Sequence, residues 1–103
     1  MLVCGADPAQ SLEVSRRQIT AGTGYLLPHA EKAGVKLALE PLHPMYADDR
    51  SAINTLKGAN AVCDSLGSPP HLGLAVDVYH TWWDPELEEQ LRMAGERRRL
   101  FGF

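Results

Sequence analysis

The chain has 103 residues, 45% hydrophobic and 22% charged, with a formal net charge of -3. That leaves room for one small domain, and the mild acidity argues against a general electrostatic footprint for nucleic acid, while leaving room for a local basic patch. No apolar run approaches membrane-spanning length and no signal-peptide core follows Met1; Cys4 and Cys63 match no metal or redox spacing, so the expectation is a reducing cytoplasm with both thiols as small buried hydrophobes.

In chain order, Leu2-Val3-Cys4 reads as a short strand ending at Gly5. Asp7-Pro8 has the pattern of a cap followed by a first-position proline, which predicts a helix from Pro8 to Ala33. Leu12, Ile19, Leu26 and Ala30 form its apolar stripe, with Val14 and Leu27 on the flanks. Pro28 cannot donate to the carbonyl of Gly24, which predicts a kink or a break there, and Gly34 ends the helix. Val35 to Pro41 predicts a strand with Lys36, Ala38 and Glu40 on one face and Val35, Leu37 and Leu39 on the other. After a loop from His43 to Arg50, Asp49 or Ser51 is the expected cap of a helix from Ala52 to Leu66, terminated by Gly67 ahead of Pro69-Pro70.

The stretch beginning at Leu72 repeats the plan. Gly73, Ala75 and Asp77 share one face; Leu72, Leu74 and Val76 share the other. Val78 to Asp84 reads as a loop, and Asp84-Pro85 opens a helix to about Glu96. Arg97-Arg98-Arg99 reads as a solvated turn in preference to a phosphate site, and Leu100 to Phe103 as the start of another strand.

The expectation is an α/β fold with four parallel strands and three helices, the strands starting about 35 residues apart, as in a βα unit. Small residues on the face that carries the acids suit the inside of a barrel, whereas both faces of a doubly wound sheet would be bulky. Four such units make half of a (β/α)8 barrel, which needs about 250 residues when complete. The acid-bearing face, or the sheet edges, would then be open to self-association.

Glu40 and Asp77 are the central pair: each closes an apolar strand, on the same side of the sheet and at the same end. Two converging carboxylates repel unless a cation sits between them; oxygen donors favour Mg²⁺ or Mn²⁺, and nearby imidazole widens the choice to Zn²⁺ or Co²⁺. The alternative on spacing alone is a pair of structural acids that cap loops or pair with Lys36 or an arginine. His80, three residues after Asp77, and His43, three after Glu40, occupy equivalent positions. Trp82 and Trp83, with Tyr79, Tyr46 and Met45, supply apolar surface at the same rim, against which a sugar ring or the following helix can pack. No Gly-rich phosphate loop, Ser-His-Asp order or CxxC is present.

At these residues the chain resembles the xylose isomerase-like TIM-barrel superfamily, which includes sugar-phosphate isomerases and epimerases and the endonuclease IV type of abasic-site nuclease. Gly34-Val-Lys-Leu-Ala-Leu-Glu40-Pro-Leu-His-Pro44 and Asp77-Val-Tyr-His80-Thr-Trp-Trp-Asp-Pro85 carry the resemblance. It implies that residues 1–103 are one fragment, about the fourth to the seventh strand, with Glu40 and Asp77 as ligands of a divalent metal. It also implies that Glu40 is a general acid/base and that His80 contacts substrate. The remaining ligands would lie beyond Phe103, so activity of this stretch alone is not expected. The implied reaction is metal-dependent isomerisation or epimerisation of a small sugar or sugar phosphate by proton transfer through an enediolate. An abasic-site nuclease, and an inactive remnant or half-barrel, are the competing readings.

Overall fold

The computed structural model describes all 103 residues. The first long element is α1, Leu12–Ala33, and it starts later than Asp7-Pro8 suggests. Asp7 Oδ1 accepts from the N–H of Ala9 in a local turn, whereas Ser11 Oγ accepts from Val14 N and caps the helix. Pro28 does not break α1 in two: it lies on the exposed side, and the helix runs on to Gly34, whose φ of 69° supplies the left-handed closing turn. The buried face also differs from the expected stripe. Ser15, Thr23 and Ala30 are buried, and Ile19 and Leu27 pack on the core, while Leu12 and Leu26 are exposed.

Three parallel strands follow in the order β1 (Leu37–Leu39), β2 (Leu72–Ala75) and β3 (Leu100–Gly102). The expected strand at Leu2 is reduced to a single parallel bridge to Leu39. It still fixes β1 from outside: Leu2 N donates to Ala38 O, and Glu40 N donates to Leu2 O at 3.0 Å. Facing residues pair as Leu37 with Leu72, Ala38 with Gly73 and Leu39 with Leu74, so the two strands present like faces to each other.

The bulky face lies under the helices. Leu39, Leu72, Leu74 and Val76 pack with Leu56, Ala59, Val62 and Cys63 of α2 (Leu56–Ser65), Ala94 of α4 (Leu87–Glu96) and Ile53. Helix α2 begins at Leu56 with Thr55 as its cap, neither Asp49 nor Ser51; Gly58 N donates to Thr55 Oγ1 at 2.9 Å. Residues 51–54 are instead a buried loop. Helix α4 likewise starts two residues after Pro85, because Asp84 Oδ1 accepts from Glu86 N and holds a turn there.

The opposite face carries small residues, and at Gly73 the need is absolute. A Cβ there would sit 2.2 Å from Arg99 O and 2.8 Å from the Phe101 ring. The arginine run divides. Arg97 and Arg98 are exposed as expected, but Arg99 is buried, with Nη1 donating to Asn60 O and Oδ1 and Nη2 donating to Ser68 Oγ and to Asp64 Oδ1. A guanidinium can be buried when its donors are met in this way. No helix is long and apolar enough to cross a membrane.

Candidate active site at the carboxyl end of the sheet

Glu40 leaves β1 and Asp77 leaves β2 on the same side, at the same end. Carrying the Ala38–Gly73 pairing forward two residues places Glu40 beside Ala75, with Asp77 one pleat further along that face. The two acids line one hollow of about 540 Å³, walled by Ala75, Val76, Val78, Gly102 and Phe103. No lysine or arginine lines it, and neither acid is in an ion pair.

The two carboxylates are held differently. Asp77 caps α3 (Val78–Thr81): its Oδ1 accepts from Tyr79 N at 2.9 Å, which leaves Oδ2 free. The loop expected after Asp77 is therefore a helical turn, because the acid that ends the strand also satisfies an N–H of the first turn. Glu40 is half-buried, with its backbone N–H bonded to Leu2 and no side-chain hydrogen bond. The following loop is tied down from below: Leu42 N donates to Ile53 O, and Asn54 Nδ2 donates to Leu42 O and Ser51 O. Ser51 and Asn54 are thus supports of the Glu40 loop that a helix reading of 52–66 conceals.

His43 and His80 meet beside the hollow, although neither lines it. His80 Nδ1 accepts from the backbone N–H of His43 at 3.1 Å, and His43 Nδ1 accepts from Met45 N at 3.1 Å to cap the 3₁₀ turn Pro44–Tyr46. An imidazole that accepts at Nδ1 carries its proton at Nε2, so both rings present a donor to whatever approaches. Tyr46 and Tyr79 stand edge-on to His80, with ring centroids 5.7 and 5.0 Å away. Interaction with Tyr46 holds the Tyr79 phenol above its ordinary value.

The tryptophans separate. Trp83 Nε1 donates to His80 O at 2.7 Å and its ring meets His43 edge-on, so it is part of the packing. Trp82 is 70% exposed at the rim.

Glu40 is half-buried and Asp77 exposed; such oxygen donors, free of competing cations, are suited to a hard divalent ion such as Mg²⁺ or Mn²⁺. Glu40 and the free oxygen of Asp77 supply two such donors; no group of three His, Cys, Asp or Glu side chains gathers in the chain. Two carboxylates fit part of a coordination shell.

A sequence comparison matches the whole chain, residues 1–103, to the model of the family described as the xylose isomerase-like TIM barrel. The chain belongs to this family. It is similar to the crystal structure of protein SMc04130 from Sinorhizobium meliloti 1021, at 45% identity and a TM-score of 0.92. That match covers 98% of this chain and 37% of the relative's, so the chain spans well under half the length of that protein. No curated protein matches the sequence. Family membership makes β1, β2 and β3 consecutive parallel strands of a TIM barrel, and in that fold sites form at the carboxyl ends of the strands.

Proposed function

We propose that the chain supplies the Glu40–Asp77 part of the site of a metal-dependent sugar or sugar phosphate isomerase or epimerase, as the fourth to seventh strands of the complete barrel. The observation that supports it is the shared hollow, lined by two unpaired carboxylates and by no lysine or arginine.

A divalent ion held by Glu40 and Asp77 would polarise a carbonyl and its neighbouring hydroxyl. Glu40 is the group placed to take a carbon-bound proton, because its side chain is free of hydrogen bonds. Asp77 has one oxygen committed to the α3 turn, so it suits a fixed ligand better than a moving base. His80 and His43 offer Nε2–H donors to sugar hydroxyls, and exposed Trp82 offers a flat face for a sugar ring. The setting proposed with it is a reducing cytoplasm, in which Cys4 and Cys63 stay thiols.

The test is deuterium uptake from solvent at the carbon next to the carbonyl, using the full-length polypeptide its gene encodes, loaded with Mn²⁺, against a panel of ketoses, aldoses and their phosphates. Exchange that Glu40→Gln abolishes supports the reading. Incision of an abasic duplex without any sugar exchange transfers the chain to the nuclease branch.

A further inference from the structure

The amino-terminal end of the sheet, opposite Glu40 and Asp77, carries a second constellation. Lys36 precedes β1, Ser68 to Pro70 precede β2, and Arg97 to Arg99 precede β3; together they line a cavity of about 320 Å³ with Leu72 and Phe101. Four cations face this space in a chain whose net charge is -3. Only one carboxylate answers them: Asp64 accepts from Arg97 Nη1 at 2.7 Å and also from Arg99. Lys36 and Arg98 have no acid partner, Lys36 standing over the Phe101 ring at 5.0 Å. Arg99 is 2% exposed, and its buried Nε has no acceptor.

Arg98 sharpens the point. It sits just past the end of α4 at φ 56°, a left-handed position that glycine commonly fills at helix ends. A bulky cation stands where the backbone favours Gly, beside three other cations whose mutual repulsion is only partly relieved by Asp64. An anion with several oxygens would relieve it, since guanidinium forks match phosphate oxygens and the Lys36 ammonium adds a point charge.

We propose that this pocket binds a phosphate dianion, either free phosphate or the phosphate of a small phosphoester, at the end of the sheet away from the Glu40–Asp77 hollow. Lys36 and Arg98 are the residues available to it, and Arg99 is the buried anchor beneath. The proposal is independent of the isomerase reading, because the two sites share no residue.

Inorganic phosphate and glycerol 3-phosphate are titrated separately into the chain at millimolar levels, with chloride at matched ionic strength as control. Thermal midpoint and phosphorus-31 line width are the readouts. A saturable rise in midpoint with line broadening is expected, since a ligand that binds only the folded state stabilises it. The ligand that saturates at the lower concentration identifies the source. In Lys36→Met/Arg98→Gly the affinity should fall at least about tenfold, while the ligand-free midpoint holds or rises because glycine suits φ 56°. Equal shifts with chloride, or an unchanged response in the double variant, overturn the proposal.

Discussion

The backbone N–H of His43 donates to Nδ1 of His80 across 3.1 Å, tying the loop after β1 to the turn after β2. One hydrogen bond thereby sets two things: the spacing between the segments that carry Glu40 and Asp77, and the tautomer of His80. The link also explains why two histidines at equivalent positions behave as a unit.

That link predicts a bare Nδ1 and a protonated Nε2 for His80 in a long-range proton–nitrogen spectrum of the imidazoles. His80→Phe should cost about 1 kcal/mol in urea unfolding, the worth of one ordinary hydrogen bond, and broaden the amide of His43. A protonated Nδ1 on neutral His80 would show that the loops are joined some other way.

Arg99 and Asp64 give an asymmetric pair. Arg99→Ala should destabilise by about 2–3 kcal/mol, because it strips partners from buried Asn60 and empties a buried site. Asp64→Asn should cost less than about 1 kcal/mol, since Asp64 is close to half exposed and Arg99 keeps Asn60 and Ser68. The hydrogen bond from Arg99 holds the Asp64 carboxyl below its ordinary value. A carboxyl lowered in the folded state stabilises above its unfolded pKa, and that contribution is lost as pH falls through the folded one. The difference between wild type and Asp64→Asn should therefore be constant near neutrality and vanish on acidification below the usual carboxylate range. Urea midpoints across pH measure it.

Gly73→Ala should be among the most damaging single changes. The added carbon meets backbone oxygen at Arg99, which cannot move without shifting β3. A loss of about 3 kcal/mol or more is expected in urea unfolding, at the upper end of overpacking effects.

Cys63 should be silent. Burial pushes its thiol up to about 11, so it stays protonated through neutral pH. A chromogenic disulfide reagent should label Cys63 only after denaturant is added, whereas half-buried Cys4 should react slowly in the folded chain.

Much of this architecture was legible because its signals are periodic or terminal. Leu72, Leu74 and Val76 alternate with Gly73 and Ala75, so the faces of β2 follow from side-chain direction alone. Gly34 marks a helix end because left-handed backbone suits few other residues. What stayed hidden depends on partners distant in sequence. Ser51 looks like a helix cap and Asn54 like a residue of the first turn, yet their hydrogen bonds hold a buried loop under Leu42. Ser15 and Thr23 look solvent-facing, yet the α1 face they occupy is buried. Arg99 reads like its neighbours, and only Asn60, Asp64 and Ser68 from the preceding unit make its burial tolerable. At the site, the positions of Glu40 and Asp77 came from strand ends, whereas the His43–His80 contact needs the three-dimensional approach of two loops.

Electron paramagnetic resonance of Mn²⁺ titrated into the chain tests the central claim most directly. Free Mn²⁺ signal should be lost on binding to wild type. Glu40→Gln and Asp77→Asn should each weaken binding by at least about tenfold, as loss of one of two charged oxygen donors requires. Equal affinity in wild type and both variants would contradict a cation held between these two carboxylates.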